Sequence, residues 1–198
     1  MPPDQRLRTV LTAFLFLLAA LSALAVDSMF SSGSGDPVRA RAASVPVKEN
    51  RDFRTARFVS YWEGYAPRCD DRLDGFATIG FGHLLRFSPC TAEDRELWWS
   101  KRKALAQLDK DLRDAAGDVR RLVRVPLSAD QRSALISFTF NVGQTALRDS
   151  TLRRLLNGGN YRAAADQLLR WVHGPGAVEL PGLHRRRAAE RQLFLGRS

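Results

Sequence analysis

The sequence predicts an α+β fold, mainly α-helical, in which a small β-sheet lobe lies beside a larger helical lobe. The sheet is predicted by Phe76–Phe81, where apolar and polar residues alternate after an Asp74-Gly75 turn. The helical lobe is predicted from Thr91 onward, where apolar residues recur at helical spacing. With 198 residues, 44% of them hydrophobic, the chain is long enough to bury one core of ordinary size.

Residues 1–52 are predicted to lie outside this fold. Arg6 and Arg8 precede an apolar run from Val10 to Val26, which is long for a signal-peptide core and at the lower limit for a membrane-spanning helix. Residues 1–26 are therefore predicted to be either a signal peptide or an N-terminal membrane anchor. Because positive charges precede the run, we expect the rest of the chain to be exported to the periplasm or the exterior. If residues 10–26 are retained, they anchor it to the inner membrane.

The segment 27–52 is rich in Ser, Gly and Arg and lacks apolar periodicity, so it is predicted to be a flexible linker. The folded domain is predicted at residues 53–198. Thr91-Ala-Glu-Asp94 and Ser128-Ala-Asp-Gln131 match the capping box of a helix N-terminus. The first box opens one long amphipathic helix through Val119, and the second opens a helix that is apolar on nearly all sides, as expected at the centre of a domain. Further helices are predicted at Asp52–Glu63, Ser150–Leu156, Tyr161–Trp171 and Leu183–Leu195.

The stretch from Tyr61 to His83 contains the candidate catalytic groups. Glu63 ends an apolar helical turn that includes Trp62, and a carboxyl held against aromatic surface has a raised pKa, which suits it to general-acid catalysis. A polar loop follows, in which a carboxylate stays solvated and ionised. Two carboxyls in opposed environments, with a hydroxyl nearby, are what glycoside hydrolysis requires. The candidate groups after Glu63 are Asp70, Asp71, Asp74 and Thr78.

Glu63-Gly64, the block Thr78–His83 and the separation of 15 residues between Glu63 and Thr78 resemble the active-site signature of phage-type lysozymes, glycoside hydrolase family 24. Ala134–Gly143 is similar to the family's buried central helix and Trp171–Glu190 to its C-terminal end. The resemblance covers residues 53–196 and implies a lysozyme-like two-lobed fold with an endolysin-like N-acetylmuramidase activity. Such an enzyme lyses the bacterial cell wall by hydrolysing the β-1,4 bond between N-acetylmuramic acid and N-acetylglucosamine of peptidoglycan through general acid/base catalysis.

The resemblance also implies a catalytic triad of Glu, Asp and Thr, and the Asp position is irregular in this chain. The family spacing puts the Asp nine residues after Glu63, where this sequence has Arg72. Asp71 needs only a one-residue slip, which a loop or bulge can absorb. We therefore predict Glu63, Asp71 and Thr78 as the catalytic residues.

Two other carboxylates are alternatives to Asp71. Asp74 precedes Gly75, and Asp-Gly is a preferred pair for a tight hairpin turn, which offers a structural explanation for it. Asp70 adjoins Cys69, so a bridge at that cysteine would direct it away from the cleft. Because the Asp spacing is irregular, a catalytically weak, membrane-tethered peptidoglycan-binding module is the alternative function.

Cys69 and Cys90 are the only cysteines of the sequence. They bracket the candidate loop and strand, and exported domains meet an oxidising compartment, so we predict a disulfide between them. Control of the loop by the oxidation state of these cysteines is the alternative.

The net charge of +10 predicts an anionic partner. Basic residues are densest at Arg120-Arg121, Arg124 and Arg185–Arg187, and an ordinarily solvated basic surface is the alternative explanation. No nucleic-acid-binding motif is visible, so we expect no nucleic acid and predict peptidoglycan and anionic lipid as partners, with membrane contact through the N-terminal segment. The three His are scattered and no Cys-x-x-Cys occurs, so we expect no metal and no cofactor. The protein is expected to be a monomer.

Overall fold

The structure, a computed structural model, describes residues 51–72, 75–174 and 177–196. It confirms the predicted α+β, mainly α-helical class. The strands are β1 Ala66–Asp70, β2 Ala77–Gly80 and β3 His83–Arg86. The helices are α1 Arg51–Glu63, α2 Ala92–Glu96, α3 Lys101–Leu122, α4 Ala129–Val142, α5 Gln144–Asp149, α6 Thr151–Asn157, α7 Tyr161–Leu168 and α8 Pro181–Phe194.

The three strands form an antiparallel sheet in the order β1-β2-β3. The central strand β2 is buried along its whole length, which confirms the strand predicted at Phe76–Phe81. The sequence does not predict the outer strands, because neither shows a clear alternation of apolar and polar residues. In β1, Pro67 cannot donate a hydrogen bond to a neighbouring strand, which is tolerated at the edge of a sheet.

The register of β1 against β2 is irregular. Ala66 lies opposite Gly80 and Asp70 lies opposite Thr78, so β1 uses more residues than β2 over the same interval and forms a bulge. Gly80 has a φ of 73°, and a Cβ atom on it would lie 3.1 Å from the Cβ of Ala104 in α3. A glycine is required there because the sheet packs directly on α3.

The prediction of a single long helix from Thr91 to Val119 is wrong, because two helices, α2 and α3, occupy this stretch. The capping box at Thr91 is confirmed, but α2 ends after a little more than one turn, and Leu97 has extended backbone angles. The N–H of Trp99 donates instead to the carbonyl of Pro67 in β1, at 2.9 Å. Ser100 then accepts from the N–H of Lys103 and starts α3. A tertiary hydrogen bond and a new N-cap thus outweigh the continuous apolar periodicity.

Helix α4 forms the centre of the helical part, as predicted. Its residues from Ser133 to Thr139 are all buried, and the capping box formed by Ser128 and Gln131 is present. The helix packs against α1, α3 and α8. This arrangement brings the C-terminal helix α8 next to the end of α1, where Glu63 lies.

Several helix boundaries differ from the predicted ones. Helix α1 begins at Arg51, α7 already ends at Leu168, and α8 begins at Pro181, a residue that suits the first turn of a helix. Helix α5 was not predicted. The predictions for residues 1–50 and for Asp74 lie outside the described residues. Within the described ranges, none of the helices combines the length and the apolar character that crossing a membrane requires.

Candidate active site

Glu63 is the last residue of α1. Gly64 follows with a φ of 66°, a left-handed conformation that ends the helix at the carboxyl-bearing residue. The side chain of Glu63 is only 1% exposed. Burial raises its pKa from 4.5 to about 8, against the opposing attraction of two arginines. The predicted rise in the pKa of Glu63 is thus confirmed, and its main cause is desolvation.

An arginine from the C-terminal helix holds this carboxyl. The Nη1 of Arg186 donates to the Oε1 of Glu63 at 2.9 Å, and the side chain of Arg186 is fully buried. The other oxygen, Oε2, is buried and has no hydrogen-bond partner in the described part of the chain. Arg185–Arg187 is one of the basic clusters from which the sequence predicts an anionic partner. Arg186 and Arg187 are both 0% exposed, so they do not contribute to a basic surface. Only Arg185 of the three is exposed.

A second group of buried polar residues surrounds Arg186. Glu190 accepts from the Nε of Arg186 at 3.0 Å and from the hydroxyl of Ser137 at 2.7 Å, both on Oε1. The Nε of Arg187 lies 3.1 Å from the Oε2 of Glu190, an ion pair without hydrogen-bond geometry. Arg187 also donates to the Oδ1 of Asn141 at 2.6 Å. Burial lowers the pKa of Arg187 to about 10.

Residue chemistry alone does not indicate that Arg186 and Glu190 lie beside Glu63, although both are in the C-terminal block of the resemblance. A signal is present in their spacing. The residues at the helical spacing of three and four on one side of α8 are Leu183, Arg186, Arg187, Glu190 and Phe194, so charged residues occupy what would be the apolar stripe of this helix. Charged residues at core positions of a helix indicate buried ion pairs.

Asp71 is held by two donors on one oxygen. Its Oδ2 accepts from the backbone N–H of Cys90 at 2.8 Å and from the Nη2 of Arg95 at 2.9 Å. The side chain is 14% exposed. Cys90 is brought to this position by its disulfide with Cys69, which confirms the predicted bridge. The bridge and the Asp71 contacts thus fix the two ends of the candidate loop to each other.

Asp70 and Thr78 lie opposite each other on β1 and β2. Both carboxylate oxygens of Asp70 are bound by the side chain of Arg72, at 2.9 and 2.8 Å, and this pairing lowers the pKa of Asp70. The hydroxyl of Thr78 is buried and donates to the backbone carbonyl of Asp70 at 3.0 Å. No hydrogen bond among the described residues joins Glu63 to Asp71 or Thr78. The structure therefore connects Thr78 to Asp70, Asp71 to the disulfide, and Glu63 to α8.

Comparison with known proteins agrees with this architecture. The family described as Phage lysozyme matches residues 60–190, so the chain belongs to the phage lysozyme family. It is accordingly a glycosidase of the lysozyme class. Among relatives, a SAR-endolysin of Escherichia phage Mu is 39% identical over 131 residues, which cover 66% of this chain and 71% of the relative.

Solved structures give the same result. A crystal structure of a P22 lysozyme mutant is similar with a TM-score of 0.60 and 32% identity, covering 72% of this chain and 95% of that one. The muramidase domain of SpmX from Asticaccaulis excentricus is similar with a TM-score of 0.62 and 31% identity, covering 72% of this chain and 95% of that one.

Proposed function

We propose that the protein is an endolysin-like N-acetylmuramidase that hydrolyses the β-1,4 bond between N-acetylmuramic acid and N-acetylglucosamine in peptidoglycan and so lyses the cell wall. The observation that carries the proposal is the buried carboxyl of Glu63, whose pKa of about 8 keeps it protonated at neutral pH. A protonated carboxyl at that pH is what the acid partner of a glycosidase needs. The muramidase and endolysin names of the relatives support the substrate class.

In the proposed reaction, Glu63 acts as the general acid. Its proton passes to the glycosidic oxygen as the bond between that oxygen and the sugar C1 breaks. Because Oε1 is held by Arg186, the proton is expected on Oε2, which has no partner among the described residues. A water molecule attacks C1 from the opposite face and gives its proton to the second carboxylate, which inverts the configuration. Thr78 is proposed to orient this water.

Asp71 is proposed as the second carboxylate. Its Oδ2 is fixed by Cys90 and Arg95, and no hydrogen bond from the described residues engages its Oδ1, so an oriented oxygen is left for water. Asp70 is the weaker alternative because both its oxygens are bound by Arg72. Asp74 remains an alternative outside the described residues.

Clearing of purified peptidoglycan tests the proposal. Glu63→Gln is expected to abolish clearing, because an amide cannot supply the proton. Among Asp70→Asn, Asp71→Asn and Asp74→Asn, only the Asp71 variant is expected to lose turnover. Retained turnover in Asp71→Asn with loss in one of the others would reassign the second carboxylate. Reducing-end analysis of the digest is expected to show N-acetylmuramic acid, and another terminus would contradict muramidase chemistry.

We also propose that the domain acts outside the cytoplasm, exported and anchored by residues 10–26 or released after cleavage. The apolar run preceded by Arg6 and Arg8, together with the disulfide, supports this location. A reporter that is active only in the cytoplasm, fused after Ser198, is expected to stay silent. A strong cytoplasmic signal would contradict export.

A second candidate function is a catalytically weak, membrane-tethered module that binds peptidoglycan. Arg72, at the position where the family spacing puts the Asp, favours it, because its guanidinium engages Asp70. Co-sedimentation with peptidoglycan separates the two functions. A binding module sediments with the wall without clearing it, whereas the proposed muramidase clears it.

A further inference from the structure

Four ionisable side chains meet where the end of α1 contacts α8. Three of them, on α8, are completely buried, and the fourth is Glu63. The charged groups that act on Glu63 are Arg186 and Arg187, which favour its ionised form, and Glu190, which opposes it. The side chains that α4 contributes to hydrogen bonds with this cluster are neutral, Ser137 and Asn141.

The guanidinium of Arg186 is divided between two carboxyl groups. Its Nη1 donates to Glu63 at 2.9 Å, and its Nε donates to Glu190 at 3.0 Å. The hydroxyl of Ser137 donates to the same oxygen of Glu190 at 2.7 Å, which holds that carboxylate in place. A cation shared between two carboxyls stabilises the charged form of each less than a cation that serves one alone.

From this geometry we infer that Glu190 adds to the effect of burial and favours the protonated carboxyl of Glu63 by drawing part of the charge of Arg186 to itself. Glu190 is then a positioning residue that acts on the general acid through Arg186, without contact to the reacting atoms. The catalytic meaning of this role rests on the proposed function, whereas the charge relation does not.

Removal of the charge of Glu190 is expected to lower the pKa of Glu63. A nearby negative charge disappears, and the charge of Arg186 is no longer shared between Glu63 and the carboxylate of Glu190. The buried cluster with a protonated Glu63 would also change from one net positive charge to two, since both arginines remain. Ionisation of Glu63 relieves that excess. The lost negative charge and the undivided charge of Arg186 both lower the pKa of Glu63, whereas removal of Arg187 raises it.

The experiment is a titration of the Glu63 carboxyl by ¹³C NMR in full-length protein with labelled glutamate, assigned with Glu63→Gln. In Glu190→Gln the midpoint is expected to fall by about one pH unit or more, and in Arg187→Met it is expected to rise. Asp166→Asn is the matched control, because Asp166 of α7 pairs with Arg191 on the exposed side of α8, away from the buried cluster. Its midpoint is expected to equal that of the wild type. An unchanged midpoint in Glu190→Gln, or one that rises, overturns the inference.

The double variant Arg187→Met/Glu190→Gln covers the case in which Glu190→Gln does not fold, because it removes one buried charge of each sign. Its midpoint is expected to lie below that of Arg187→Met alone, and an equal or higher value overturns the inference. The pH profile of wall clearing gives a separate test of the proposed function. The alkaline limb of that profile should move with the NMR midpoint. Wild-type protein that fails to clear wall refutes the muramidase proposal, while the NMR shifts still decide the charge relation.

Discussion

Replacement of Glu63 by Gln is expected to remove activity and at the same time to stabilise the fold at neutral pH. The carboxyl is buried, and its Oε1 accepts from Arg186. Gln has nearly the shape of the protonated acid and keeps an oxygen for the same hydrogen bond. The two side chains therefore differ mainly in that Gln cannot ionise.

The size of the effect follows from the pKa of Glu63, which burial raises from 4.5 to about 8. Between these values the folded protein keeps a proton that the unfolded chain has released. Stability that is fully present below pH 4.5 is therefore lost as the pH rises through 8. At pH 7 the loss is about 3 kcal/mol, since one pKa unit corresponds to about 1.4 kcal/mol. Glu63→Gln escapes this loss.

Urea denaturation at pH 4 and pH 7 measures the difference. The wild type and Glu63→Gln are expected to have similar free energies of unfolding at pH 4, and the variant is expected to be more stable by about 3 kcal/mol at pH 7. The exposed Glu96→Gln is the control and should show no such change with pH. A difference between Glu63→Gln and wild type that is the same at both pH values would refute the reasoning. A gain in stability with a loss of activity is typical of catalytic groups held in unfavourable surroundings.

Two further predictions concern the sheet lobe. Replacement of both Cys69 and Cys90 by Ser should lower the free energy of unfolding by about 3 kcal/mol, measured by urea denaturation, because the bridge closes a loop of 21 residues. Reduced wild type should match this variant, and two titratable thiols in the untreated protein would rule out the bridge. Gly80→Ala should lower the thermal transition more than Gly159→Ala, because both have a positive φ but only Gly80 lies against Ala104. Equal losses in the two variants would contradict close packing of the sheet on α3.

Local patterns in the sequence determined much of the helical scaffold. The two capping boxes and the continuous apolar character of α4 require only near neighbours, so they are readable without a fold. The aromatic turn before Glu63 likewise indicates a raised pKa, which the structure confirms. Three ordered blocks carry the family resemblance, which the family comparison confirms: Glu63 to His83, Ala134–Gly143 and Trp171–Glu190.

Tertiary contacts decided the break between α2 and α3. The helical spacing continues through this break, but the N–H of Trp99 finds its acceptor in β1, which lies far away in the sequence. Strand β1 itself carries no clear pattern, because it is an edge strand with a bulge. The residues of β1 show no strand pattern of their own, and the strand is stabilised by its backbone pairing with β2.

The environment of Glu63 was also decided by the tertiary structure. Sequence alone makes Arg186 one of three consecutive surface cations, whereas the packing of α8 against α4 removes it from water and points it at Glu63. A buried charge requires a partner, and the partners Glu63 and Glu190 come from different helices. The sequence determined which side chains can transfer a proton. The fold determined which charges share the buried space around Glu63, and desolvation and Coulomb interactions there set its protonation.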